Sequence, residues 1–300
     1  MRHELLLYDD DDRLASRAVP YLEEGLDGGE RVVAVLSERK LDLLRDALGP
    51  YADRVQCLDC DTHYSRPEAA LADYDAAVRG MLRDGAPGVR LFGELPTLAG
   101  PGDSAAWIAY DAILNRAFAH HPVSILCGYD GRVLPGDVLD GARRAHPGFH
   151  GGERNDDYHD PAELVREHTP EPRPLPQLRP LGGDGDGGDG VAGFRRRLVA
   201  AMAAAGMPRA AIEDMALAAN EVVVNAQRHG GGATEARVGR VEDRFVCELS
   251  DHGPGFDDPL AGYLPPRDGT PGAGLWIARQ ATSRLEMIPG AHGMTVRLWV

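Results

Sequence analysis

Three short constellations in the last third of the chain combine residue types that can handle phosphate and a hard cation. In the stretch 212–230, Glu221 and Asn225 stand four apart and His229 follows four further on. That spacing stacks a carboxylate, a carboxamide and an imidazole along one face of a helix. Asn is a mediocre helix former, so its place among Ala and Val needs a reason. The second constellation is Asp251, Gly253 and Gly255, a D-x-G-x-G run. The third is Gly272 and Gly274, a G-x-G run that leads through Leu275 into another helical pattern. A carboxylate can act as a base, an amide oxygen can ligate a hard ion, and glycines let a ligand come close to backbone. Any one of these alone is more often an ordinary solvated face or turn. Their order along the chain is what makes them specific.

The elements that must position them can be read from periodicity. Ile212, Met215, Ala219, Val222 and Val223 form the apolar stripe of one helix. Residues 244–250 alternate as a strand that delivers Asp251 to a loop. Residues 194–205 read as a preceding helix, 233–241 as a strand paired with 244–250, and 285–288 with 294–299 as a closing hairpin. The helix after the G-x-G run is expected to end over 279–283.

Residues 191–300 therefore resemble the Bergerat-fold (GHKL) ATPase domain shared by histidine kinases, gyrase and Hsp90. Within it they resemble most the serine/threonine kinases that act as bacterial anti-sigma factors. Glu221, Asn225 and His229 match the N box, Asp251, Gly253 and Gly255 the next box, and Gly272 and Gly274 the last. The resemblance implies ATP and Mg²⁺ as cofactors, with Asn225 as the direct protein ligand of the metal. It implies Glu221 as the catalytic base and Asp251 as acceptor for the adenine amino group. Gly253 and Gly255 would admit base and ribose, and Gly272, Gly274 and Leu275 would open the helix that faces the phosphates. Arg228 and His229 would lie near the phosphates or merely cap the helix. Residues 259–271, with Tyr263 and Arg267, would form a short ATP lid, as in the anti-sigma kinases.

Three hundred residues suit two domains. Residues 1–165 hold 17 Lys/Arg against 30 Asp/Glu, net −13, and 191–300 hold twelve of each. The first part should repel nucleic acid and anionic membrane. No apolar run reaches the length of a membrane span, and the opening residues do not read as a signal peptide, so a cytoplasmic protein is expected. The four cysteines are expected to be reduced.

Residues 1–165 alternate short apolar strands with helices, the sign of a mostly parallel sheet covered on both faces. Strands are expected at 3–8, 31–36, 54–58, 89–92 and 123–127, and helices at 9–26, 38–48, 67–83, 105–120 and 135–145. This half resembles the MEDS sensory domain, a RecA-like three-layer α/β/α module. The resemblance rests on the acidic turn after the first strand, Arg90-Leu-Phe-Gly-Glu94, Trp107-x-x-Tyr110-x-x-x-Leu114-Asn115, Cys127-x-Tyr129-Asp130 and Ala145-His-Pro147. It implies a small-molecule sensor. Glu94, Tyr129 and Asp130 are expected just past strand ends, where ligands of open α/β sheets bind. With Trp107 and His146 they form a candidate sensory site, against the plainer reading of core aromatics and a loop acid. Cys57-x-x-Cys60 with His63 could ligate a metal, though ordinary cysteines are the simpler account. No G-x-x-x-x-G-K-S/T run occurs, so this half is not expected to hydrolyse nucleotide.

Residues 166–190 read as a linker, five prolines over 170–180 and then Gly and Asp over 182–190. There is no histidine between Thr169 and Asn220, and the prolines forbid a coiled hairpin there. Autophosphorylation on His is therefore disfavoured. By resemblance the chain is an ATP- and Mg-dependent anti-sigma factor that phosphorylates an anti-anti-sigma (STAS) protein, with an RNA polymerase sigma factor as the competing partner. A homodimer stays open. So do two other functions, a module that binds ATP and its partner without phosphoryl transfer, and a sensor histidine kinase.

Overall fold

In the computed structural model the chain forms two compact units, Met1–Thr169 and Pro170–Val300. All residues are described except 65, 97–100, 183–189, 231–234, 267–271 and 291–292, together with the side chains of 101–103.

The first unit runs β1 (Arg2–Tyr8), α1 (Asp11–Asp27), β2 (Arg31–Leu36), α2 (Glu38–Leu48), a 3-10 turn (Gly49–Arg54), β3 (Gln56–Asp59), α3 (Cys60–His63) and α4 (Pro67–Arg83). It continues with β4 (Val89–Glu94), α5 (Pro101–Ala117), β5 (Val123–Asp130), α6 (Gly136–Ala145), β6 (Gly148–Phe149), β7 (Glu153–Arg154) and α7 (Pro161–His168). The strands form one sheet in the order β3-β2-β4-β5-β1-β6-β7, parallel except for β7. Side chains alternate across it. Leu6, Phe92 and Leu126 point to a core shared with α1 and α2. His3 and Cys127 point to the other face, towards α5. The acids at the start of α1 suit the positive end of a helix, and Asp10 caps it by accepting from the Arg13 N–H at 2.6 Å.

The expected elements are all present in this unit, with shifts at their ends. β4 and β5 run on to Glu94 and Asp130, so these residues are the last of their strands and not the first of the loops. The short elements α3, β6 and β7 were not anticipated, because two to four residues carry no period. Among the described residues no helix is long and apolar enough to cross a membrane.

The second unit contains β8 (Arg179–Pro180), α8 (Gly190–Ala204), α9 (Arg209–His229), β9 (Glu235–Val241), β10 (Arg244–Ser250), α10 (Ala273–Gln280), β11 (Arg284–Gly290) and β12 (Gly293–Trp299). Its sheet is antiparallel, in the order β11-β12-β10-β9-β8. One face is covered by the helices. Phe194, Leu198 and Met202 of α8 and Met215, Ala219, Val222 and Val223 of α9 meet Phe245, Cys247 and Leu249 of β10 and Val296 and Leu298 of β12. Each large side chain buried there stabilises the unit by about 1.5–3 kcal/mol. The unit is thus a two-layer α/β arrangement, the fold that the Bergerat resemblance implies. The helix after the G-x-G run ends at Gln280, within the expected 279–283.

Candidate functional site

The apolar stripe of α9 seals its inner face to the sheet and thereby fixes what the next face presents. Val222 and Ala226 are buried, while Glu221 and Asn225 beside them are half-buried. α10 packs against α9 at Gly274. A Cβ at that position would lie 3.0 Å from Asn225 Nδ2 and 3.1 Å from Glu221 Oε2. Glycine is therefore what lets the two helices bring Glu221, Asn225 and the start of α10 together.

β10 delivers Asp251 to the same space. Asp251 Oδ1 accepts from the backbone N–H of Gly253 at 3.0 Å and of Met294 at 3.2 Å. Its Oδ2 accepts nothing from the described residues. Together these parts enclose a cavity of about 580 Å³, lined by Asn225, Arg228 and His229 of α9, Asp251 and Gly255 of the loop, and Gly272 and Leu275. Val222, Ala226, Met294 and Val296 supply apolar walls. The volume falls inside the roughly 300–1,000 Å³ of ordinary small-molecule sites. Mostly apolar walls with one carboxylate among the lining residues suit a heterocycle that bears an amino group.

Of the residues singled out from the sequence, seven line this cavity. Glu221, Gly253 and Gly274 do not. Glu221 stands at the α9–α10 junction, with Asn220 Nδ2 donating to its Oε1 at 3.5 Å. Gly253 faces the end of α9, where a Cβ would sit 2.4 Å from Gly230 Cα. It holds the loop against the helix and does not open space for a ligand. Pro254, Phe256, Met294 and Val296 were missed. Val222 was read only as part of the apolar stripe, and the one advance signal for Ala226 was that it follows Asn225. Of the residues expected to form a lid, Tyr263 lies under the Arg279 guanidinium at 3.8 Å, and Arg279 Nε donates to Ala261 O. Arg267 and Pro271 lie outside the described residues.

In the first unit Glu94, Tyr129 and Asp130 line a second cavity of about 480 Å³ at the carboxyl ends of β4 and β5, together with Ser37, Lys40 and Cys60. Lys40 Nζ reaches Glu94 Oε2 at 2.7 Å and Asp130 Oδ2 at 3.4 Å, and Tyr8 donates to Glu94. Burial raises the Glu94 carboxyl, against the pull of Lys40. A hydrogen bond from Arg132 holds Asp130 well below the usual carboxylate range. Trp107 and His146 do not line this cavity. Trp107 packs edge-on against Tyr64 and Tyr110 at 5.2 and 5.3 Å, because α5 turns it into an aromatic cluster. His146 is fully buried under α6. Cys57 lies in β3, within the strand expected at 54–58, and Cys60 opens the short helix α3. His63 packs on Tyr64 and Tyr74. Burial and then Asp61 push the Cys60 thiol up to about 12, the opposite of a thiol reactive in its free form.

Residues 2–147 match the MEDS family, the methanogen/methylotroph DcmR sensory domain, and residues 189–300 match the histidine kinase-like ATPase domain family. The chain thus carries an N-terminal MEDS domain and a C-terminal histidine kinase-like ATPase domain. No curated protein matches the chain. Among solved structures it is similar to the RsbU and RsbW domains of Rv1364c from Mycobacterium tuberculosis, at 21% identity and a TM-score of 0.31. That match spans 42% of this chain and 32% of the other.

Proposed function

We propose that the second unit binds Mg·ATP and transfers the γ-phosphoryl group to a serine or threonine of a STAS partner, in competition with a sigma factor. The family match to an ATPase domain supports nucleotide binding. The observation that carries the reading is the single cavity onto which Asn225, Asp251 and the start of α10 all open. These residues fit the nucleotide. Asp251 would accept from the adenine amino group, Leu275 and Val296 would flank the base, and the N–H groups beginning α10 would meet phosphate oxygens. Arg228 and His229 would add charge beside them. Asn225 would hold Mg²⁺ through its amide oxygen, and the bound ion neutralises phosphate charge and aligns the transferring group. Glu221 would take the proton of the attacking hydroxyl. The first unit would act as the sensor, with a small molecule in the cavity around Glu94 and Asp130 adjusting the kinase and hence transcription.

Label transfer from γ-labelled ATP to purified STAS proteins tests this. Acid-stable label on Ser or Thr of the partner is the expected result. Acid-labile label on this chain's own histidine would replace the reading with that of a sensor histidine kinase. The position of Glu221 outside the cavity lining favours a second reading, nucleotide-dependent binding without transfer. That reading predicts a stable complex with the partner and no label.

A further inference from the structure

A second polar cluster lies in the first unit, between its sheet and α5 and α6. His3 of β1, Asp111 of α5, Cys127 of β5 and His146 at the end of α6 are all buried. One potential ligand atom from each lies within 4.8 Å of the other three. His3 Nε2 is 3.4 Å from Cys127 Sγ, His146 Nε2 is 3.6 Å from Asp111 Oδ2, and Cys127 Sγ is 3.9 Å from Asp111 Oδ1. The edges of a tetrahedron with metal–ligand bonds of 2.0–2.3 Å are about 3.3–3.7 Å. The first two separations match that, and the third, to the other Asp111 oxygen, is within a few tenths of an ångström of it, while the remaining separations of the four-atom set stay within 4.8 Å.

The surrounding hydrogen bonds fix both imidazoles with a lone pair inward. His146 Nδ1 faces the carbonyl of Ala142 at 2.7 Å and must donate to it, so Nε2 is the unprotonated nitrogen. Asn115 Nδ2 donates to Ala112 O and Ala145 O, which turns its Oδ1 towards His3 Nδ1 at 3.0 Å. His3 therefore donates through Nδ1 and also keeps its lone pair on Nε2. Tyr129 donates to Asp111 Oδ2 at 2.5 Å. Each of these partners does what outer groups do around a metal, orienting the ligand and fixing its tautomer. His146 Nε2 itself has no hydrogen-bond partner, although it is sealed from water. A cluster built only to hydrogen-bond would not leave a buried acceptor aimed at its own centre.

We propose that His3, Asp111, Cys127 and His146 form a tetrahedral site for a divalent transition metal of the zinc type. The donor set decides the class. One thiolate and two imidazoles favour zinc, cobalt or iron over magnesium or calcium, which prefer oxygen. The site is independent of the nucleotide reading, since all four ligands belong to the first unit.

The test uses tag-free, chelator-stripped full-length protein without nucleotide. Titration with Co²⁺ should saturate at one equivalent per chain, with a thiolate-to-cobalt charge-transfer band and the intense visible bands of tetrahedral Co²⁺. Zn²⁺ should displace it. Cys127→Ser, nearly isosteric, should lose the charge-transfer band and weaken binding at least tenfold, while Cys247→Ser should keep both. His146→Gln provides the same comparison by affinity if the serine variant melts early. A wild-type protein without the charge-transfer band would overturn the proposal, as would a Cys127→Ser protein that retains it.

Discussion

Replacing Gly274 by alanine separates what the α9–α10 junction does for folding from what it does for ligand. The added methyl carbon would lie 3.0 Å from Asn225 Nδ2, 3.1 Å from Glu221 Oε2 and 3.3 Å from Asn225 Oδ1. Ordinary contact begins near 3.4 Å, so something must give by a few tenths of an ångström. The groups in the way are the ends of two side chains, which can rotate aside more easily than a helix can shift. Alanine in a helix gains up to about 1 kcal/mol over glycine, which offsets part of the crowding. Net stability should thus stay within about 1 kcal/mol. Binding should not be spared. An amide oxygen held to a charged partner contributes about 1.5–3 kcal/mol, and at 1.4 kcal/mol per decade its displacement weakens binding roughly 10- to 150-fold.

Calorimetry with Mg·ATP, and with ATP in excess chelator, reads the two effects apart. Affinity for Mg·ATP should fall at least tenfold, affinity for metal-free ATP should fall less, and the melting temperature should move by only a few degrees. A variant that folds, binds Mg·ATP like the parent and keeps its magnesium dependence would refute the assignment of Asn225 to the ion.

Other substitutions probe neighbouring groups. Asp251→Asn keeps an oxygen for the N–H groups of Gly253 and Met294 but sets an amide donor against the adenine amino group, so melting should change little while ATP affinity falls more than tenfold. Glu221→Gln should leave Mg·ATP affinity within about twofold, since the residue does not line the cavity, and reduce label transfer at least 100-fold. Burial raises the Cys127 thiol and pushes Cys247 up to about 12, so a disulfide reagent at neutral pH should leave both unmodified until the chain is unfolded, with half-exposed Cys57 reacting first. Hydrogen bonds from Arg39 and Arg132 lower the Asp11 carboxyl to about 2. A depressed folded value stabilises above the unfolded value near 3.9 and is lost as pH falls through about 2. The stability difference between parent and Asp11→Asn should therefore be constant from pH 7 to 5 in denaturant melts and shrink, never grow, towards acid.

Which parts were legible follows from where the physical signal sits. α9 and β10 were readable because burial on one face forces a period. Asn225 and Asp251 were readable because a polar side chain interrupts an apolar pattern at each place. Residues whose demand comes from a neighbour distant in sequence were not. Gly293 is required because a Cβ there would fall 1.9 Å from Asp251 O, 42 positions earlier. Gly253 looked like room for a ligand and is a contact with Gly230. The His3 and His146 cluster was invisible for the same reason, since its members come from β1, α5, β5 and α6 and share no local spacing.

The proline-rich stretch shows the same limit from the other side. Five prolines over 170–180 read as a spacer, yet this stretch belongs to the second unit. The helices cover one face of that sheet. The other face carries Glu248, held between Arg237 at 3.1 Å and Arg297 at 2.6 Å, all but Arg237 buried. Charges taken from water need every hydrogen bond met. Arg297 Nη1 donates to Arg173 O and Arg237 Nη2 to Leu178 O, while Leu178 itself is buried and β8 extends the sheet beside β9. Proline favours extended chain without using its own N–H, which leaves the carbonyls free to accept from arginines. The stretch thus works as a lid on a charged sheet face. The clue in the sequence was on the strands, where arginine and glutamate alternate with core residues on a face that two-layer folds otherwise leave to solvent.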